Sequence, residues 1–203
     1  MPLSHLALGQ ARLAQLPPVR ATDVNFRNLV DAAGAPIDET WRVARREALL
    51  RLFGELRPDA LITELFPFGR RMMEFELLPL LDAARAAKPR PLILASLRDI
   101  LAPASSPAKA AATVERVRRD YDHILVHGDA NFLPLEASFP EAVAVADRLV
   151  YTGYVRAPLG PTPPPGYGDG EVIVSVGGGA VGDRLLRSEE HTSELQSRLH
   201  LVC

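Results

Sequence analysis

Cysteine is nearly absent, since Cys203, the last residue, is the only one in the chain. A disulfide framework is therefore excluded, and so is a metal site built on cysteine. No apolar run approaches the roughly 20 residues that cross a bilayer, and residues 1–16 lack the apolar core of a signal peptide. We expect a cytoplasmic protein without a transmembrane segment, and we leave a peripheral membrane contact open.

An excess of either charge is also missing. The chain of 203 residues has 23 basic and 25 acidic side chains, for a formal charge of −2. This balance predicts no strong attraction to nucleic acid or to anionic lipid. The hydrophobic fraction of 47% is ordinary for a globular protein, and the length suffices for one large domain or for one domain and part of another.

Apolar strands alternate with amphipathic helices along most of the sequence. The predicted strands are Ala11–Leu16, Asp59–Thr63, Pro91–Leu97, His123–Gly128 and Arg148–Tyr154. The predicted helices are a long one with Asp38 as its N-cap and an apolar face from Trp41 to Leu56, then Met72–Ala87, Pro107–Asp120 and Pro140–Ala146. Pro79 is expected to kink or interrupt its helix. The alternation predicts an α/β fold with a doubly wound parallel sheet that helices cover on both faces.

A change of composition follows this domain, which we place at residues 1–156. Residues 157–170 are rich in proline and glycine and predict a linker. A second α/β domain is expected to begin at residues 171–187, with a strand that runs into a glycine loop and a helix. Ser175, Gly177, Gly178 and Gly179 would bind phosphate through backbone N–H groups and the helix N-terminus. The alternative is a tight turn without a ligand.

Candidate side chains follow the predicted strand Asp59–Thr63, in the segment TELFPFGRR (63–71). Glu64 could orient a hydroxyl or act as a base, while Arg70 and Arg71 could bind an anionic group. The alternative is a surface loop that packs Phe66 and Phe68 on the core and leaves the arginines in solvent. The segment follows the carboxyl end of a predicted parallel strand, which is where parallel sheets bind their ligands.

The next two strands also end in polar residues. Arg98 and Asp99 could line the same edge or simply pair with each other. His127 could move protons near neutral pH, and Asp129 follows it in a turn. His123 and His127 lie too far apart on a strand for a metal pair, so we predict no metal site.

Six stretches together resemble a bacterial family of predicted glycosyltransferases, which are similar to the enzyme that adds N-acetylglucosamine in peptidoglycan lipid synthesis. They are TELFPFGRR (63–71), FELLPLL (75–81), VHGD (126–129), PLEASFP (134–140), RLVYTGYV (148–155) and VSVGGGAVG (174–182). The resemblance extends over about residues 11–186. It implies the GT-B fold, in which two Rossmann-like domains face each other across a cleft.

The resemblance also implies how the residues would act. The first domain would take the acceptor, with Glu64, Arg70, Arg71, Arg98, Asp99, His127 and Asp129 along its side of the cleft. From the residues alone, Glu64 and His127 are the candidates for catalytic base, whereas the resemblance implies that the base lies in an N-terminal glycine loop that this sequence lacks. Gly177–Gly179 would approach the diphosphate of a nucleotide-sugar donor, expected to be UDP-linked, without a metal or another cofactor. The acceptor would be a small molecule or a lipid-linked one.

The chain departs from the family pattern at both ends. Nothing before Ala11 resembles the first strand and its histidine-containing glycine loop, and His5 does not follow a strand. At the other end, RSEEHTSELQS (187–197) resembles the in-frame translation of a widely used sequencing adapter, so residues 188–203 are interpreted as a non-native tail without packed contacts. We therefore expect a fragment of the parent enzyme, inactive by itself.

Two other classes of function stay open. Gly177, Gly179 and Gly182 also fit the G-x-G-x-x-G pattern of an NAD- or FAD-dependent oxidoreductase, although the acidic residue expected further on is missing. Alternatively, the sheet domain could be a non-enzymatic ligand-binding module. An unfilled strand position would then leave a sheet edge exposed.

Overall fold

The fold is α/β and is built on a four-stranded parallel sheet. The computed structural model describes residues 10–23, 28–98, 100–102, 106–155, 170, 172–175 and 199–202. The sheet contains β3 (Ala60–Glu64), β4 (Leu92–Arg98), β5 (His123–His127) and β6 (Leu149–Tyr151), in the order β3-β4-β5-β6. They correspond to four of the five strands that the sequence predicts for this domain, each shifted by three residues or fewer at its ends.

Three α-helices accompany the sheet: α1 (Glu39–Leu56), α2 (Glu74–Ala86) and α3 (Pro107–Asp120). The predicted cap of α1 is confirmed, because the Asp38 carboxylate accepts a hydrogen bond of 2.7 Å from the Trp41 N–H. Ser106 caps α3 in the same way, with Pro107 in the first turn. Short 3₁₀ helices lie at Arg71–Met73, Leu135–Ala137 and Pro140–Arg148.

The helices that connect neighbouring strands all lie on one face of the sheet. Each step from strand to strand goes in the same direction, and right-handed crossovers then place every connection on the same side. The core accordingly unites one face of the strands with inward residues of α2, α3 and the last 3₁₀ helix. Its fully buried members include Leu81, Ile93, Val117, Val126 and Val145.

The opposite face of the sheet, which we call the uncovered face, has no helix on it among the described residues. Ile62, Leu92 and Val150 point to that side, and they are 56%, 43% and 41% exposed. The prediction of helices on both faces is therefore not met within the described part of the chain. The sequence predicts two covered faces because these strands are apolar on both sides, which is typical of a sheet with helices on both faces.

One predicted strand is absent, and one expected helix interruption does not occur. Ala11–Leu16 forms no strand, and the small antiparallel pair in this region consists of β1 (Arg20–Ala21) and β2 (Leu29–Val30). Residues 11–16 have no alternating pattern of apolar and polar residues that would fix the register of a strand. Pro79 does not interrupt α2, which continues through it from Glu74 to Ala86. Packing of Leu80, Leu81 and Ala84 into the interior outweighs the one backbone donor that proline lacks.

Two further strands form a separate parallel pair, β7 (Val172–Ser175) and β8 (Leu199–Val202). The start of β7 agrees with the strand predicted after Glu171. The pairing of β8 contradicts the expectation that residues 188–203 make no packed contacts. The predicted linker lies outside the described residues except for Gly170.

Candidate functional site

The carboxyl edge of the sheet brings together side chains from four strands. Glu64 is in register with Ser96, and Arg98 is in register with His127. Thr152 follows β6 directly. Since residues in register point to the same side of a parallel sheet, all five side chains lie on the uncovered face. We call this group, with Arg70 from the loop after β3, the strand-end cluster.

His127 is held by hydroxyl groups at both ring nitrogens. Its Nε2 atom lies 2.9 Å from Ser96 Oγ, and its Nδ1 atom lies 2.7 Å from Thr152 Oγ1. Thr152 is in turn 3.0 Å from the Gly153 carbonyl oxygen. The ring is half-buried, so it is fixed in orientation and still accessible. A histidine held in this way can accept or donate a proton at one defined atom.

Glu64 lies on the same edge, on a strand that β4 separates from the strand of His127, and it is paired with two arginines. Arg70 makes a short ion pair with its carboxylate, and Arg98 Nη2 lies 3.9 Å from Glu64 Oε1. All three side chains are exposed, so these pairs contribute little to stability. These two guanidinium groups and one carboxylate together carry a net positive charge, which suits an anionic group on a ligand.

A buried hydrogen-bond network anchors the loop that presents Arg70. The Thr63 hydroxyl donates to the Phe66 carbonyl at 3.0 Å, and it lies 2.9 Å from the Tyr121 hydroxyl. Burial raises the pKa of the Tyr121 phenol, an effect that its hydrogen bond to Thr63 only partly offsets. Phe66 is fully buried in the core. The burial of Phe66 agrees with the alternative prediction for TELFPFGRR, a loop that packs its aromatic residues on the core.

The same loop has a left-handed backbone conformation at both of its ends. Leu65 and Arg70 both have positive φ angles, of 65° and 54°. A Cβ atom at Gly69 would lie 2.9 Å from the Leu65 side chain, so this position has no room for a larger residue. The turn directs Arg70 back toward Glu64.

The remaining predicted residues are placed elsewhere. Arg71 points to α3, where its Nη2 lies 3.2 Å from Thr113 Oγ1 and 3.3 Å from the Lys109 carbonyl oxygen. The Asp129 carboxylate accepts from the Asn131 N–H at 2.8 Å and stabilises a turn. Asp99 lies outside the described residues, as do Gly177, Gly178 and Gly179. Ser175 is the last residue of β7.

Sequence reasoning missed Ser96 and Thr152 as site residues. Ser96 lies two positions before Arg98 and therefore on the same face of β4. Thr152 directly follows β6 in the structure, but it lies inside the longer strand Arg148–Tyr154 that the sequence predicts. A search for polar residues after strand ends therefore selects neither residue.

A depression of about 630 Å³ lies at the opposite, amino edge of the sheet. The residues that line it include Arg90, Tyr121, Asp122, His123 and Arg148. Its charged groups are already engaged: Arg90 pairs with Asp122, and Arg148 donates to the Val117 carbonyl at 2.9 Å. Ligands of parallel α/β sheets bind at the carboxyl edge. We therefore assign the candidate site to the strand-end cluster rather than to the depression.

Comparison with known proteins adds no relative. No protein-family model, no curated protein and no solved structure matches the chain. Within the described residues, no three or more His, Cys, Asp or Glu side chains lie close enough to hold a metal ion. The same part of the chain contains no helix with the length and apolarity needed to cross a membrane.

Proposed function

We propose that the four-stranded sheet is the acceptor-side, Rossmann-like domain of a cytoplasmic, nucleotide-sugar-dependent glycosyltransferase with the GT-B fold. The observation that supports it most is His127, fixed between two hydroxyls at the carboxyl edge beside two arginines. The six stretches that resemble the glycosyltransferase family include this histidine and the loop that presents Arg70. In this proposal, β7 begins the donor-binding domain.

The proposed roles follow from the contacts. His127 is a better base than Glu64, because the Glu64 carboxylate is engaged by Arg70 and faces Arg98. The acceptor oxygen would attack the anomeric carbon of the hexosyl group while the bond to the UDP oxygen breaks. The acceptor proton would pass to His127. Backbone N–H groups of Gly177–Gly179 would stabilise the departing diphosphate, and Arg70 and Arg98 would hold an anionic part of the acceptor.

The test uses the complete coding sequence, read from genomic DNA across the codons for Gly182–Cys203 and past both ends. If a further α/β domain follows in frame, its product is assayed for UDP release from a panel of UDP-hexoses with added acceptors. We expect UDP release that His127→Gln lowers about 10²- to 10⁴-fold, as for loss of a general base. His123→Gln is the matched control, because His123 lies at the other end of the same strand.

Other results would decide against the proposal. Reduction or oxidation of added NAD or FAD without UDP release would favour the oxidoreductase alternative. A coding sequence that stops after Cys203, with a product that binds ligands and releases no UDP, would favour a binding module. Equal activity of the His127→Gln and His123→Gln variants would remove His127 from the role of base.

A further inference from the structure

The hydrogen bonds around His127 indicate which of its ring nitrogens bears the proton. The Thr152 hydroxyl has one hydrogen and three neighbours: His127 Nδ1 at 2.7 Å, the Gly153 carbonyl oxygen at 3.0 Å and the Val126 carbonyl oxygen at 3.4 Å. The Ser96 hydroxyl lies 2.9 Å from Nε2. A carbonyl oxygen can only accept, whereas a hydroxyl can donate one hydrogen and accept another.

Counting these bonds favours one tautomer. With the proton on Nδ1, the ring donates to Thr152, Thr152 donates to the Gly153 carbonyl, and Ser96 donates to Nε2. All three hydrogens are then used. With the proton on Nε2, Thr152 must donate to Nδ1, and the bond to Gly153 is lost. The Ser96 hydroxyl would then accept from the ring, and its own hydrogen would have no acceptor among its described contacts.

We infer that Thr152 is a positioning residue that holds His127 in the Nδ1–H form, so that Nε2 is the atom that takes the proton of the substrate. The second part of this inference rests on the proposed function. Nε2 faces the uncovered side of the sheet, where Ser96 is its partner. An acceptor hydroxyl that replaces the Ser96 hydroxyl at Nε2 would meet a lone pair already directed at it.

Nitrogen NMR of the full chain tests this assignment without any substrate. The protein is labelled at its five histidines, and the His127 signals are identified by their loss in His127→Gln. At a pH well above the usual histidine pKa of about 6.5, we expect a pyrrole-like signal from Nδ1 and a pyridine-like signal from Nε2. The reverse pattern in the unaltered protein would overturn the inference.

Variants then test the role of Thr152. Thr152→Val keeps the shape and removes the acceptor for Nδ1–H, so we expect the proton to move toward Nε2. Thr152→Ser keeps a hydroxyl and should restore the original pattern, while Ser96→Ala should leave Nδ1 protonated. An Nδ1–H pattern that survives in Thr152→Val would show that Thr152 does not set the tautomer. Thermal unfolding of each variant confirms that the compared proteins are folded.

The two proposals fail in different ways. An Nδ1–H pattern together with absence of UDP release from the complete gene product overturns the proposed function and leaves the tautomer assignment standing. UDP release together with an Nε2–H pattern overturns the tautomer assignment and leaves the proposed function standing.

Discussion

Tyr121 is the largest fully buried side chain in the described part of the chain, and its hydroxyl has a specific partner in Thr63. A buried hydroxyl is costly without a hydrogen bond. Thr63 also donates to the Phe66 carbonyl, so one side chain satisfies both a core phenol and the backbone of the loop that presents Arg70. The geometry of the strand-end cluster therefore depends on a residue beneath it.

Thr63→Val should destabilise the protein by about 1–3 kcal/mol, because the Tyr121 hydroxyl and the Phe66 carbonyl would lose a buried partner. Thr63→Ser, which keeps the hydroxyl, should lose less. Urea unfolding followed by Trp41 fluorescence measures both free energies. A Thr63→Val protein as stable as the unaltered one would mean that water takes over both hydrogen bonds.

Asp122 predicts a dependence of stability on pH. Burial alone would raise the pKa of its carboxyl, but hydrogen bonds from Arg90 and from the Ile93 N–H outweigh burial and hold the pKa below its ordinary value. A lowered pKa stabilises the folded state above the unfolded pKa of about 3.9, and that contribution is lost as the pH falls through the folded pKa.

The free energies of unfolding of the unaltered protein and Asp122→Asn should therefore differ at neutral pH and converge as the solution becomes more acidic than about pH 4. Urea unfolding at a series of pH values measures the difference. A difference that stays constant across this range would show that the ionised carboxylate is not the stabilising species.

At the scale of elements, α1 is attached to the domain mainly through α2. Arg45 donates to the Glu76 carboxylate at 2.6 Å and 3.2 Å, and also to the Pro17 carbonyl. Trp41 and Phe75 add an edge-to-face contact with ring centroids 6.4 Å apart. α1 has no fully buried residue, and apart from Phe53, which packs against the core, this contact with α2 is what positions it.

Glu76→Ala should cost about 3–5 kcal/mol, because it leaves the largely buried Arg45 guanidinium without its carboxylate. The double variant Arg45→Met/Glu76→Leu should be more stable than Glu76→Ala, since no unpaired charge remains. Chemical denaturation of Arg45→Met, Glu76→Leu and the double variant completes a double-mutant cycle. Additive effects of the two sites would contradict a coupled pair.

The N-cap of α1 gives a smaller effect. Asp38→Ala should destabilise the protein by about 1 kcal/mol, because the Trp41 N–H loses its acceptor. Asp38→Asn keeps an acceptor oxygen and should retain most of the stability. Thermal unfolding compares the two variants, and equal losses would indicate that the charge of Asp38, rather than the cap hydrogen bond, matters.

At the scale of the whole molecule, the hydrophobic core cluster and the apolar residues packed against it lie between Phe53 and Tyr151 in the part of the chain that the structure describes. Helices cover one face of the sheet, and the uncovered face presents both the strand-end cluster and exposed apolar residues such as Ile62. This asymmetry leaves His127 accessible.

A protein that ends at Val155 should therefore unfold cooperatively, with a midpoint close to that of the full chain. Trp41 is the only tryptophan and lies at the contact of α1 with α2, so its fluorescence reports the domain. Loss of the cooperative transition on truncation would show that residues 156–203 contribute to the stability of the domain.

The sequence by itself determined the elements whose signal is local. Strands β3 to β6 are continuous apolar runs, α3 has the predicted bounds Pro107–Asp120, and α1 begins after its predicted cap. Periodicity and capping act over a few residues and can be recognised in the printed sequence. The sequence also predicted that Glu64, Arg98 and His127 lie at one edge of the sheet, because parallel strands end at the same edge.

Only the tertiary structure decided which side chains meet. Ser96 and Thr152 contact His127 across 31 and 25 positions of sequence, and nothing local marks either residue as its partner. Arg70 and Arg71 are neighbours in sequence, yet one turns to Glu64 and the other to α3, because the loop reverses at Arg70. The uncovered face likewise follows from the strand order, since crossovers of one hand in one direction place the connecting helices on one side.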